Sequence, residues 1–223
     1  MGASGSFPID IILFAMIAAF LVLRLRSILG RRQGFERTPD AAAPSGAPSM
    51  AAGPGPVLDA VAEPAPARPL PDPSTPLGQT LARMKAVDPA FSPEAFIAGA
   101  ETAFRMIVAA FAAGDRVALR PLLSDETYRA FEGAIAAREA AGETQRTEIQ
   151  SMPGASIESA ELRNRHAIIT MRFVSDQVNL TTAKDGSIVH GTDAVTEITD
   201  LWSFERELGS ADPTWRLVAA RSA

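Results

Sequence analysis

The spacing of apolar residues changes twice along the chain and divides it into three regions. Residues 7–29 are almost continuously apolar, residues 38–76 show no periodicity, and from residue 77 apolar positions recur first at helical and then at strand spacing. We therefore predict a transmembrane anchor over residues 7–29, and a basic juxtamembrane segment with a disordered Pro/Ala-rich linker over residues 30–76. A folded domain is predicted over residues 77–223.

The first half of the predicted domain has apolar residues spaced as in amphipathic helices. A short helix is predicted over residues 77–87. A longer helix is predicted over residues 93–113, with Ser92 as its N-cap and Gly114 at its end, and a further helix over residues 125–141. The second helix carries one continuous apolar stripe: Phe96, Ala100, Phe104, Ile107 and Phe111.

The second half of the predicted domain alternates apolar and polar residues, as β-strands do. Ile149 and Ile157 predict two separate short strands, and residues 166–174 predict a third. Residues 184–186 (KDG) are typical of a hairpin turn. A long strand is predicted over residues 195–206, and a strand of that length usually bends or bulges.

Helices followed by hairpin-linked strands predict an α+β fold class, in which N-terminal helices pack on one face of a curved antiparallel sheet. A last strand is predicted where Trp215, Leu217 and Ala219 alternate. The curvature would form a cone with a partly apolar cleft, the architecture of the cystatin-like and nuclear-transport-factor-two-like folds. Five residues are candidates for the lining of this ligand or partner cleft: Phe104, Ile198, Trp202, Phe204 and Trp215.

The N-terminal apolar segment has basic residues on its C-terminal side only. A cleaved signal peptide carries positive charge before its apolar region, so we expect an uncleaved anchor. An excess of arginine marks the cytoplasmic side of a membrane helix. In a bacterium the pattern predicts a single-pass inner-membrane protein with its N-terminus outside and its C-terminal domain in the cytoplasm.

Two sets of residues are candidates for contact with the membrane. Arginines beside the anchor attract anionic lipid, at about 1 kcal/mol for each residue near the surface. The apolar face of the helix over residues 77–87 is a candidate for lying on the bilayer, and the alternative is that it packs on the domain. These membrane-contacting candidates are Arg24, Arg26, Arg31, Arg32, Leu77, Leu81 and Met84.

Composition narrows the possible chemistry. The chain has no cysteine, and its two histidines, His166 and His190, have no partner at metal-ligand spacing, so we expect no metal site and no cofactor. From residue 77 onward there are 20 acidic and 15 basic residues. This balance disfavours nucleic-acid binding, which requires clustered basic side chains.

We expect no catalytic residues, and one alternative remains open. Asp200 shares a predicted strand face with Trp202, and a carboxylate beside aromatic side chains is suited to act as a general base. Tyr128 or His166 would supply the acid. The alternative is therefore an enzyme of the isomerase or dehydratase type that uses Asp200.

Two strings near the C-terminus resemble the signature of the Tim44-like domain family. They are residues 200–206 (DLWSFER) and residues 212–219 (DPTWRLVA). Residues 167–174 and 91–115 are similar too, so the resemblance covers roughly residues 77 to 221. The pairing of Trp-x-Phe-x-Arg with Asp-Pro-x-Trp-x-Leu is more specific than either motif alone.

The resemblance implies a non-enzymatic, membrane-tethered adaptor. The mitochondrial founder of the family holds a heat-shock chaperone at the protein-import channel of the inner membrane and touches acidic lipids, and bacterial members are membrane-anchored adaptors. An anchor and a linker stand here in place of the founder's chaperone-binding region, so membrane tethering carries over and chaperone binding does not.

We therefore expect an inner-membrane adaptor or scaffold whose cytoplasmic domain recruits a protein partner or contacts lipid, with a link to protein translocation. The sequence leaves the identity of the partner open. A carrier or sensor of an apolar ligand in the predicted cleft is a second hypothesis, and the enzyme that uses Asp200 is the third.

Overall fold

The computed structural model describes residues 68–223. The predicted anchor, the arginines beside it and the linker up to residue 67 lie outside the described residues. In the described part, four helices come first and four strands follow. The helices are α1 (Pro76–Val87), α2 (Pro93–Ala113), α3 (Arg116–Leu119) and α4 (Asp125–Ala141), and the strands are β1 (Thr144–Arg163), β2 (His166–Thr182), β3 (Ile188–Glu207) and β4 (Arg216–Ser222).

The four strands form one antiparallel sheet in the order β1-β2-β3-β4. The core face of β2 carries four side chains that are completely buried: Ala167, Ile169, Met171 and Phe173. These residues alternate along the strand with residues of the opposite face, as the sequence predicted. Helices that precede an open antiparallel sheet and share its core confirm the predicted α+β class.

Side-chain caps and glycines set the ends of the two long helices. The Ser92 hydroxyl accepts a hydrogen bond from the backbone N–H of Ala95 in the first turn of α2. Pro93 is the first residue of the helix, a position where the absence of an N–H costs no hydrogen bond. Gly114 ends α2 in the left-handed conformation, at φ 72°. Ser124 and Gly142 cap α4 in the same way. The predicted ends of both helices are therefore confirmed.

α2 is long and apolar enough to cross a membrane, and no other helix within residues 68–223 meets this criterion. Its apolar stripe is nevertheless part of the domain core. Phe96, Ala100, Phe104 and Ile107 are buried there, and Phe111 packs against the edge of the same cluster. Burial against the sheet accounts for the composition of α2, so this helix is separate from the predicted anchor.

The prediction of two short strands around Ile149 and Ile157 is wrong, because both residues belong to the single strand β1. The register between β1 and β2 shifts at three places, each of which adds one residue to β1. An added residue reverses the face that the following side chains occupy, so the alternation breaks although the strand continues. Pro153 lies within one shift, where an edge strand does not need its missing N–H.

β3 begins at Ile188, ahead of the predicted start at Val195. Three residues, Asp193–Val195, lie opposite the single residue Val178 of β2, so β3 bulges here. The expected irregularity of this long strand is confirmed, and it explains why the periodic pattern starts only after the bulge. His190 is the third residue of β3.

The alternation predicted for the last strand is wrong at one position. Leu217 is buried in the core as expected. Val218 is then an extra residue in the pairing of β4 with β3, and it reverses the faces that follow. Ala220, and not Ala219, packs against the core.

Residues 68–75 form a strap that connects the linker to the domain. Arg68 Nη2 donates to Glu101 Oε2 of α2 at 3.1 Å and to the carbonyl oxygen of Met152 in β1 at 3.3 Å. Further along, the strap passes so close to α1 that a Cβ atom on Gly78 would overlap the carbonyl oxygen of Asp72. Glycine at position 78 therefore permits the close approach of strap and helix.

A largely buried ion pair joins the end of α1 to β3. Arg206 Nη2 lies 2.9 Å from Asp88 Oδ2, and the two side chains are 12% and 8% exposed. The backbone N–H of Ala90 contributes most to lowering the pKa of Asp88, burial opposes this, and the N–H of Gly209 and the Arg206 guanidinium lower it further. The carboxylate is thus held ionised where α1 ends.

The contact between the strap and α1 predicts that replacement by alanine changes the stability of the domain in opposite directions at Gly78 and at Gly99. Gly78→Ala should lower the free energy of unfolding by about 1–3 kcal/mol, because the methyl group meets backbone atoms that cannot move independently. Gly99→Ala, the control in α2 where a Cβ meets nothing within 4 Å, should raise it by about 1 kcal/mol. Chemical unfolding followed by tryptophan fluorescence measures both, and equal effects would contradict the packing described for the strap.

The Asp88–Arg206 pair predicts a pH-dependent difference in stability. Asp88→Asn should unfold at a lower temperature at neutral pH, because it leaves the Arg206 charge without its counter-ion. The pKa of Asp88 is lower in the folded protein, so the stability from its charge is present above about pH 4 and is lost as the pH falls through the folded value. The gap between the melting temperatures of wild type and variant should therefore narrow from pH 7 to pH 3. A gap that is independent of pH would argue against the pair.

Candidate functional site

The structure places two of the five predicted cleft residues in the centre of the core. Phe104 and Trp202 are buried, with ring centroids 4.6 Å apart. The Phe173 ring is also 4.6 Å from Phe104, and it lies edge-on to Trp202 at 6.1 Å. These rings occupy the position at which the sequence predicted an open cleft. Ile198 is half-buried farther along the sheet.

Beyond these rings the core face of the sheet becomes polar. Gln177 donates to Ser175 at 2.7 Å, and both side chains are buried. Asn179 of β2 donates a hydrogen bond to Gln177, and Thr147 of the neighbouring strand β1 donates one to Asn179. Arg138 completes the connection, because it bonds Gln145 and also donates to the last carbonyl oxygens of α2. Sequence reasoning missed this network, although polar residues at alternate positions in β1 and β2 were a signal for it.

Asp200 lies on the core face of β3, as the sequence predicted. It pairs with Phe173 across the sheet, and its carboxylate accepts a hydrogen bond from Ser222 at 3.2 Å. His166 lies opposite Glu207, which is seven residues along β3 and roughly 23 Å away at the rise of a strand. Tyr128 is on α4, where its ring packs under the Arg120 guanidinium. The structure therefore does not bring His166 to Asp200.

Among residues 68–223, no group of three or more His, Asp or Glu side chains is placed to hold a metal ion. His166 instead lies 3.2 Å from the Glu205 carboxylate on the sheet. His190 is exposed on β3. The described part of the domain thus offers surfaces for contact and no metal centre.

The other two predicted residues, Phe204 and Trp215, line a groove beside α2. The groove has a volume of about 360 Å³ and lies between α2 and the chain that enters β4. Trp215 forms one wall, with its ring edge-on to Phe96 at 4.7 Å and tilted against Phe91 at 6.1 Å. We call this the α2 groove, and its defining residues are Phe91, Phe96, Gly99, Met106, Arg206 and Trp215.

Small side chains keep the α2 groove open along the helix. Ala95, Gly99 and Ala103 recur at every fourth position and so lie on one face of α2. A Cβ atom at Gly99 would meet no atom of the described part of the chain within 4 Å. Met106 extends the same face and is 49% exposed. An apolar side chain from outside can therefore enter here without displacing protein atoms.

The α2 groove borders a buried donor that has no acceptor. Arg206 lines the groove, and while its Nη2 binds Asp88, its Nε is buried without a hydrogen-bond partner among residues 68–223. A buried N–H of this kind is unfavourable unless an acceptor reaches it. The groove thus combines aromatic walls with an arginine side chain that has one more hydrogen bond to donate, from its Nε–H.

A second depression, of about 790 Å³, lies around the start of α4. Two of the arginines that line it, Arg120 and Arg216, form ion pairs. Arg120 binds Asp125 at 2.6 Å, which lowers the pKa of that carboxyl, and Arg216 binds Asp212 at 2.8 Å. Among residues 68–223, no aromatic residue lines the depression, so it is a weaker candidate for binding an apolar side chain than the α2 groove.

The structure places α1 against the domain. Leu81 and Met84 are buried in the core, and Leu77 packs against it. This arrangement is the alternative to membrane contact that the sequence left open. Contact of Leu81 and Met84 with a bilayer stays a prediction that would require α1 to leave the core.

Known proteins resemble this chain in sequence and in structure. The family model of the Tim44-like domain matches residues 77–222. No curated protein sequence matches the chain. The intermembrane-space region of the chloroplast protein ARC6 is similar in structure, with a TM-score of 0.42 and 10% identity over 56% of this chain and 95% of that chain. A conserved protein from Planctomyces limnophilus has a TM-score of 0.33 and 17% identity over 54% of this chain and 89% of that one.

Neither structural likeness is close enough to carry an argument about function. The family match is independent of them and spans about two thirds of the chain, from the start of α1 to the end of β4. It includes both strings that carry the resemblance in the sequence, and its last motif supplies Trp215 to the α2 groove. The chain belongs to the Tim44-like domain family.

Proposed function

We propose that this protein is a non-enzymatic adaptor of a bacterial inner membrane, whose cytoplasmic domain binds a protein partner in the α2 groove. Family membership supports an adaptor, because Tim44-like proteins interact with membranes and with protein partners. The predicted anchor and the arginines beside it support tethering to an anionic membrane. Protein translocation is the process that the family suggests.

The observation that carries this proposal is the open aromatic groove beside α2. Binding energy in protein interfaces comes mainly from a few side chains that fill well-formed pockets. Trp215 and Phe91 form such a pocket, and the space above Gly99 admits a side chain from outside. A catalytic role has less support, because His166, one of the two acids that the sequence offered, lies opposite Glu207, seven residues along β3 from Asp200.

The chemistry of the α2 groove defines the partner that it would bind. The walls favour a branched apolar or aromatic side chain. Arg206 favours a carboxylate or carbonyl oxygen beside that side chain, because its Nε lacks an acceptor. The partner is therefore a protein segment that presents an apolar residue next to an acidic one.

Filling the α2 groove should abolish partner binding without unfolding the domain. Gly99→Leu adds a side chain to the open space and also favours the helix, so the domain should remain folded. We expect the amount of crosslinked partner recovered from membranes to fall by about tenfold, as for the loss of a central contact in an interface.

Gly133→Leu is the matched control for this experiment. Gly133 is exposed on α4, and a Cβ there also meets nothing within 4 Å. This variant should recover the same partners as the wild type, in the same amounts. Equal recovery with Gly99→Leu would rule out the α2 groove as the binding site, and equal loss with both variants would indicate a nonspecific effect.

A further inference from the structure

The linker contains one cluster of branched apolar residues close to the domain. Val57, Leu58 and Val61 lie within five residues, whereas the rest of residues 38–67 has Met50 as its only other large apolar side chain. Prolines flank the cluster on both sides, at positions 54, 56, 64 and 66. A spacer needs no such cluster, so its position seven residues before Arg68 requires another explanation.

We infer that residues 56–64 of the chain's own linker occupy the α2 groove until a partner displaces them. The inference rests on the proposed function of the groove and adds its regulation. The occupant belongs to the same molecule, so the domain would be self-blocked. We call residues 56–64 the linker segment.

The point at which the linker joins the domain brings the linker segment within reach. Arg68 is held on α2 itself, through Glu101. Glu101 and Gly99 are two residues apart, so they face nearly opposite sides of a helix about 10–12 Å wide. The path around the helix is then roughly 16–19 Å, and the seven extended residue steps from Arg68 to Val61 span about 22 Å. Val61 can therefore reach the groove.

The chemistry of the linker segment matches that of the α2 groove. Its three branched side chains suit the walls formed by Phe91 and Trp215. It carries two carboxylates, Asp59 and Glu63, and no lysine or arginine. An acidic segment is complementary to Arg206, whose Nε lacks an acceptor within the described residues. Proline-flanked segments also bind aromatic-lined grooves at a low cost in conformational entropy.

A short connection makes even weak docking effective. A tether of six residues would hold the linker segment near the groove at an effective concentration in the millimolar range. An intrinsic dissociation constant of the same order would keep about half of the grooves filled. A partner would then bind with an apparent affinity reduced by the filled fraction, and removal of the linker segment would increase its binding.

Photo-crosslinking in the full-length, membrane-embedded protein tests this inference. A photoreactive phenylalanine at Met106, which lines the α2 groove and is 49% exposed, should crosslink to residues 54–67 of the same chain. The same probe at Val117, which is 85% exposed on α3, should not. Mixing isotopically light and heavy protein before illumination distinguishes crosslinks within one chain from those between two copies.

Substitutions in the linker separate the inference from the proposed function. The triple variant Val57→Ser, Leu58→Ser and Val61→Ser should lower the crosslink within the chain by about tenfold and raise crosslinks to the partner about twofold. A control triple variant replaces neighbouring small residues and keeps the apolar cluster, so it should behave as wild type. It consists of Ala60→Ser, Ala62→Ser and Ala65→Ser.

The possible outcomes are distinct. Crosslinks within the chain that the first triple variant and Gly99→Leu both remove support the inference. Crosslinks to a second copy, to lipid or to the partner alone overturn it, and in the last case the proposed function stands. Crosslinks at Met106 no stronger than those at Val117 overturn both.

Discussion

The packing of one face of α2 on the core face of the sheet is the interaction on which the rest of the structure depends. Phe104 is central to it, with ring centroids 4.6 Å from both Phe173 and Trp202. Complete burial of such a side chain contributes about 2–3 kcal/mol. Because this face must point inward, the small residues around Gly99 are turned toward the chain that enters β4. The core and the α2 groove are thus two sides of one helix.

A single arginine connects the stability of the domain to its candidate binding surface. Arg206 closes the end of α1 through Asp88 and also borders the α2 groove. An acceptor that reaches its Nε would satisfy the donor that the ion pair leaves unbonded. Occupation of the groove would therefore stabilise the junction of α1 and β3, in proportion to the binding free energy.

Sequence reasoning was most successful where burial, spacing and caps agree. The ends of α2 follow from Ser92 and Gly114, and the core face of β2 from strict apolar alternation. It failed in β1 because each inserted residue reverses the alternation, and local spacing cannot show where the insertions pair. The α2 groove could not be predicted either, since it depends on the distant approach of Trp215. The recurrence of small residues along α2 was its one local sign.

The bulge of β3 also shapes the strand edge that the sheet presents to other molecules. β4 pairs with β3 only from Asp200 onward, so before Asp200 the edge of β3 that faces away from β2 has no strand beside it among residues 68–223. A straight edge there would be a template for the strand of another molecule. Asp193–Val195 interrupt that edge and add a charge to it. Molecules crowded together on one surface can thus collide repeatedly without joining their sheets into a fibre.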